Sequence, residues 1–147
     1  MLERLVKIAL NLLVIGGIGF AIGYFMWNKP HTNVEAAKPV AVDAAALYTI
    51  FSQDSVKAKS KYQEQVIAVT GKLHALSTNQ QKQQVVTLET AVPDAYINCT
   101  MEQQPKTPTP GTTVTLKGIC TGIGAGDADL GIMGDVYLVR CYWVNHQ

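Results

Sequence analysis

The feature that most constrains this 147-residue chain is an uncharged run near its start, Ile8–Trp27 (IALNLLVIGGIGFAIGYFMW), with Asn11 as its one polar interruption. At about 1.5 Å rise per residue, such a run spans roughly 30 Å as a helix, the thickness of a bilayer's hydrocarbon core. Backbone groups that leave water must be satisfied within the segment, so a helix is expected. A soluble helix of this length would carry a polar face, and none is present. Tyr24 and Trp27 stand at its far end, where amphipathic rings favour the headgroup layer. Residues 8–27, with Ile8, Gly19, Gly23 and Trp27 as markers along them, are therefore read as a single transmembrane helix in contact with the lipid bilayer.

Cleaved signal peptides have a shorter apolar region followed by small residues. Here the run ends in Tyr24-Phe25-Met26-Trp27, and the first cysteine is Cys99, so an uncleaved signal anchor over residues 1–27 is expected. Arg4 and Lys7 before the segment are balanced by Lys29 and Lys38 after it. The free amino terminus tips the expectation to a cytoplasmic start and an extracytoplasmic domain, on the periplasmic side in a Gram-negative cell. Gly19 and Gly23 form a small-xxx-small pair compatible with weak self-association. Glycine is common in membrane helices without that role.

Residues 28–42 (NKPHTNVEAAKPVAV) read as a flexible tether, with Pro30 ending the helix, Pro39 preventing another and His31 solvated. The domain proper is then 43–147, opening with helix over 43–62. Asp43 is an N-cap candidate, with Leu47, Ile50 and Phe51 following at helical spacing. Asp54 caps a second turn, with Val56 and Tyr62 facing inward, and Lys57, Lys59 and Lys61 form a solvated face. After Tyr62 the period becomes two, over strands at about 65–77, 83–91, 95–102, 112–122 and 135–145. Their inward residues are Ile67, Val69, Gly71 and Leu73; Val86 and Leu88; Ile97, Cys99 and Met101; Val114, Leu116, Gly118 and Cys120. In the last strand Val136 and Leu138 have one parity while Cys141 and Trp143 have the other. A one-residue bulge near Val139 or Arg140 would bring all four inward. The fold class is all-β with an N-terminal helix, a barrel or a sandwich.

Lys61-Tyr62 followed by Val66-Ile67-Ala68-Val69-Thr70-Gly71, then Ile97-Asn98-Cys99, then Gly111 through Val114-Thr115-Leu116-Lys117-Gly118-Ile119-Cys120-Thr121-Gly122, and last Val136-Tyr137-Leu138 with Cys141 resemble the tRNA_anti-like family. This is an OB-fold group of bacterial exported and membrane-anchored proteins, and the resemblance covers roughly Asp43–Val144. It implies a five-stranded OB-fold-like Greek-key barrel closed at one end by an N-terminal helix. The chain departs from it at Ile123–Gly134, which is longer and richer in glycine than expected. In OB topology the fifth strand lies between the third and fourth, so Cys99, Cys120 and Cys141 come to neighbouring strands. Cys120 and Cys141 lie symmetrically about a hairpin centred near Leu130 and are the favoured disulfide, with Cys99 free or an alternative partner for either.

The residues offer no catalytic set, no cofactor motif and no metal site. There is no CxxC, and His74 and His146 have no useful spacing to the cysteines. Gly122–Gly126 lacks the Lys-Ser/Thr of a phosphate loop, and Asp127-Ala128-Asp129 lacks the remaining ligands of a calcium loop. Residues 43–147 hold eight Lys/Arg against nine Asp/Glu. With no positive excess, nucleic acid is disfavoured as a partner, and Tyr96, Tyr137 and Tyr142 are scattered as stacking candidates. Leu130, Ile132 and Met133 form the candidate partner-contact loop. The expected function is a non-catalytic binding or interaction module at the bacterial cell envelope, with an envelope protein as partner. The alternatives are single-stranded nucleic-acid or oligosaccharide binding by the barrel face, or a thiol-dependent redox factor.

Overall fold

A computed structural model describes residues 1–28, 33–103, 105–127 and 129–144. Pro30, read above as the end of the helix, and His31 lie outside the described residues, as do Lys29, Ala128 and His146. The chain divides into two units, Met1–Thr32 and Asn33–Gln147. In the first, the apolar run is one helix, α1 (Leu2–Trp27), closed by the Asn28 amide donating to the Tyr24 carbonyl at 2.9 Å. Its segment Val6–Trp27 is long and apolar enough to cross a membrane.

The second unit is a closed five-stranded barrel with one extra strand. In chain order it runs β1 (Val40–Asp43), α2 (Ala44–Gln53), α3 (Ser55–Tyr62), β2 (Val66–Thr78), β3 (Gln84–Glu89), β4 (Tyr96–Met101), β5 (Thr113–Ile123) and β6 (Val136–Trp143). The sheet order is β1-β2-β3-β4-β6-β5, and β2 also pairs with β5, which closes the barrel. β6 thus inserts between β4, to which it is parallel, and β5, to which it is antiparallel. This is the five-stranded Greek-key topology that the family resemblance implies.

Both aspartates cap helices. Asp43 accepts from the amides of Ala45 and Ala46, and Asp54 from that of Lys57. The Lys57 backbone amide, reinforced by its side chain, holds the Asp54 carboxyl below the usual range. From α2, Leu47, Tyr48 and Phe51 enter the core, and α3 adds Ala58 and Tyr62. Val56 corrects the sequence reading: it is 77% exposed, because Ala58 and Tyr62, four apart, define the buried face of α3. The strands alternate as period two requires, with Ile67, Val69, Leu73, Val86, Leu88, Ile97, Cys99, Met101, Leu116 and Cys120 in one core. At Gly71 the chain needs a bare backbone, since a Cβ there would stand 2.7 Å from that of Ala44.

The bulge in the last strand is present. Ile119 pairs with Val139 but Lys117 pairs with Tyr142, so β6 carries one residue more than β5 across the same span. The slack falls at Arg140, which adopts φ 53°, and Val136, Leu138 and Cys141 are all buried. Arg140 stays at the surface and donates from Nε to Glu102 Oε2 at 3.0 Å.

The stretch read as tether is structured over its second part. Val40–Asp43 runs parallel to β2, with Val40 opposite Ile67 and Asp43 opposite Thr70. The physical reason is the length of β2: β5 takes one edge of its first half, while β3 pairs only from Leu73 onward. The other edge of Val66–Thr70 would otherwise be unpaired, and β1 satisfies it. Ahead of β1, Lys117 Nζ donates to the carbonyls of Glu35 and Ala37, and Val34 is buried. That segment lies over the outer face, which is why Val66 and Ala68 are covered as well as their inward neighbours.

Candidate binding face of the barrel

Residues of opposite parity to the core make up the outer surface of β2, β3, β4 and β6. Strand register brings into one row side chains that are far apart in sequence. Thr87 lies opposite Asn98, and Asn98 opposite Tyr137. The Thr87 hydroxyl donates to Asn98 Oδ1 at 3.0 Å, and Asn98 Nδ2 donates to Asp135 Oδ2 at 2.8 Å. Asp135 Oδ1 also accepts the Tyr96 amide at 2.9 Å, fixing the start of β4 beside that of β6. Tyr137 is 44% exposed, and its ring lies over Gly124, where a Cβ would come within 2.9 Å of Cε2.

Beside this row the β2–β3 pairing slips between Leu73 and Ala75. His74, at the slip, stacks on Tyr96 with ring centroids 4.6 Å apart and planes at 31°. Glu89 holds the cluster together, with Oε1 3.6 Å from His74 Nδ1 and Oε2 3.5 Å from Lys72 Nζ. His74, Glu89 and Tyr96 line a surface cleft of about 400 Å³ completed by the β3–β4 turn. Within that turn the Thr90 hydroxyl donates to the Ala95 carbonyl at 2.7 Å. The result is an ordered aromatic and hydrogen-bonding surface in which Lys72 faces a carboxylate. Sequence reading missed it because Tyr96 and Tyr137 look isolated in the linear chain. The usable signal was the outward parity of Lys72 and His74, which follows from the inward parity of Gly71 and Leu73.

The other sequence candidates fall elsewhere. The Cys120–Cys141 disulfide is not formed: Cys99, Cys120 and Cys141 are free and buried, and no pair lies at bonding distance. The bulge is the reason. Cys120 stands opposite Leu138, whereas the extra residue carries Cys141 to a place opposite Met101 and over Gly118, whose missing side chain makes room for its Sγ. The Cys141 thiol is instead hydrogen-bonded to Cys99, and this contact together with burial raises its pKa. Burial pushes Cys120 up to about 11, against the Gly122 amide, which favours the thiolate. Such thiols are poor nucleophiles at neutral pH. In the native protein at pH 8, Ellman's reagent is expected to find none of the three and, after denaturation, all three. Fast labelling before unfolding would contradict this. An unfolded thiol ionises near 9.0, so the stability Cys120 contributes is complete below that pH and is lost as pH rises through about 11.

Leu130, Ile132 and Met133 are exposed on the hairpin between β5 and β6. A Cβ at Gly19 or Gly23 would meet nothing within 4 Å, so that side of α1 is open. Among the described residues, no group of three His, Cys, Asp or Glu side chains is placed to hold a metal ion.

No curated protein matches this sequence. The sequence profile of the tRNA_anti-like family matches residues 1–129, taking in α1, the inserted β1 and four of the five barrel strands. With that span matched and the barrel closed in the implied order, the chain belongs to the tRNA_anti-like family.

Proposed function

We propose that this protein is a non-catalytic binding module held at the bacterial cell envelope by α1, with its barrel outside the cytoplasm and a polypeptide partner on the face built by His74, Glu89, Tyr96, Asn98 and Tyr137. The observation that carries the reading is the His74–Tyr96 stack pinned by Glu89 beside the hydrogen-bonded row Thr87-Asn98-Asp135. Side chains already ordered by one another lose little entropy when a partner arrives. Aromatic rings ringed by hydrogen-bonding groups are also the composition of protein interfaces. A phosphate backbone is a poor fit, because Lys72 faces Glu89 and the face has no surplus cation to release counterions. Against a redox role stand the raised thiol pKa values of Cys120 and Cys141.

The test is affinity purification of tagged full-length protein from detergent-solubilised membranes, compared with the double variant His74→Ala/Tyr96→Ala. A discrete partner is expected, with recovery lowered about tenfold in the variant, since buried aromatic anchors dominate interface energies. Equal recovery, or tight single-stranded nucleic-acid binding at low salt, would overturn the reading.

A further inference from the structure

Residues 43–147 are near charge balance, but their charges separate between the two ends of the barrel. The Gly124 amide donates to the Asp135 carbonyl at 2.8 Å, closing the base of the hairpin between β5 and β6, and Asp135 Oδ1 holds the Tyr96 amide at the start of β4. The hairpin and the β3–β4 turn therefore share one end. That end carries Glu89, Asp94, Asp127, Asp129 and Asp135, and residues 118–139 include no Lys or Arg. Lys72 is held by Glu89 at 3.5 Å. α3 brings Lys57, Lys59 and Lys61 against Asp54 and Glu64, one positive charge in all, so carboxylates stay in excess. Lys82 and Lys106 belong to the opposite end, where the Gln84 side chain exchanges hydrogen bonds with the Lys106 backbone at 2.6 and 3.2 Å.

An unpaired donor stands at the acidic end. Tyr48 of α2 is 1% exposed, yet it lines a cleft of about 300 Å³ between α2 and the hairpin. Among the described residues its hydroxyl has no hydrogen-bond partner, and it is not sealed from solvent, so it opens on that cleft. Burial, and then the charge of Asp135, raise its pKa, so it stays a donor. The walls are apolar, with Ile132 and Met133 opposite Phe51. The hairpin wall is held in one shape: Asp127 and Ile132 exchange backbone hydrogen bonds at 2.8 Å, and Asp127 Oδ1 accepts the amides of Asp129 and Leu130. Gly124 lines the cleft and lies under the Tyr137 ring, which makes the cleft continuous with the face described above.

We propose that the polypeptide partner meets this end with a basic, apolar segment. A large apolar side chain enters the cleft, the Tyr48 hydroxyl donates to a main-chain carbonyl beside it, and flanking Lys or Arg residues meet Asp94, Asp127 and Asp129. The inference rests on the polypeptide reading of the face and adds the partner's chemistry to it. A buried donor without an acceptor is costly, and a main-chain carbonyl next to an apolar side chain satisfies donor and walls together. Surplus carboxylates reject an acidic partner and steer a basic one.

The test pans a random heptapeptide phage library on the full chain in phosphatidylcholine nanodiscs, with empty discs as the subtraction. Enriched peptides are then synthesised and titrated by fluorescence anisotropy. Sequences with Lys or Arg flanking a large apolar residue are expected. Tyr48→Phe should weaken them about fivefold, the loss of one neutral hydrogen bond. Asp94→Asn/Asp127→Asn/Asp129→Asn should weaken them about tenfold at low salt and flatten the salt dependence. Asparagine can still cap the turn at position 127 and tolerates the φ of 58° at position 94. Peptides that lose affinity in His74→Ala/Tyr96→Ala but are indifferent to Tyr48→Phe, or to the triple change, overturn this inference and leave the face standing. Enrichment of acidic or uncharged sequences also overturns it. A library from which nothing is enriched overturns the inference and the polypeptide reading together.

Discussion

Replacing Ile15 and Ile18 with aspartate is expected to move this protein from the membrane pellet to the soluble fraction. Both positions lie near the centre of Val6–Trp27, which passes as a span by its length and apolar composition. At a helix centre each aspartate disfavours insertion by about 3 kcal/mol, and each lost isoleucine adds a few tenths, so the pair shifts partitioning by about 6–7 kcal/mol. Few insertions of a single helix survive a change of that size. Alkaline carbonate extraction followed by flotation measures it. A chain that still floats with membranes after the double substitution would contradict α1 as the anchor.

The second large effect belongs to the barrel. Phe51 is 1% exposed, sits in the core with Leu47 and Tyr48, and lies with its ring centroid 6.4 Å from that of Tyr62. Its ring meets Tyr62 of α3 while sharing the core with the inward residues of the strands. Phe51→Ala removes the buried ring and leaves a cavity that the closed sheet cannot collapse to fill, at a cost of about 3–5 kcal/mol. A domain of this size has roughly 5–15 kcal/mol in total, so a large part of its stability goes. Near-UV circular dichroism against urea, on the full chain in nanodiscs, should show the midpoint falling steeply. A loss below about 1 kcal/mol would place Phe51 outside the core that holds the helices to the sheet.

The barrel was readable in the sequence because its strands keep period two almost without exception. The break in the last strand was readable too: the parity change between Leu138 and Cys141 can be reconciled only by an extra residue, and Arg140 at φ 53° is where it falls. β1 was not readable. Four residues after a proline carry too little pattern, and the need they meet is created elsewhere, by the unpaired edge of Val66–Thr70. Val56 failed for a related reason, since on a two-turn helix the choice of buried face rests on contacts with other elements and not on spacing.

The cysteines show a different limit. Their meeting on neighbouring strands followed from topology, but bonding depends on register to within one residue. The same bulge that brings Cys141 inward carries it away from Cys120 and towards Cys99. The proposed binding face was hidden in the same way. Thr87, Asn98 and Tyr137 become a row only when β3, β4 and β6 are aligned, and His74 meets Tyr96 only through the slip after Leu73.

The central claim is that α1 holds the barrel's binding face where its partner is, so anchoring and recognition should fail together. The direct measurement is photo-crosslinking in intact cells from benzoylphenylalanine at Tyr137, in the native chain and in the Ile15→Asp/Ile18→Asp chain. Confinement to one membrane raises effective concentration, so a single discrete adduct is predicted from the anchored chain and about a tenfold lower yield, or more, from the released one. No adduct from the anchored chain, or the same yield from both, would contradict the account.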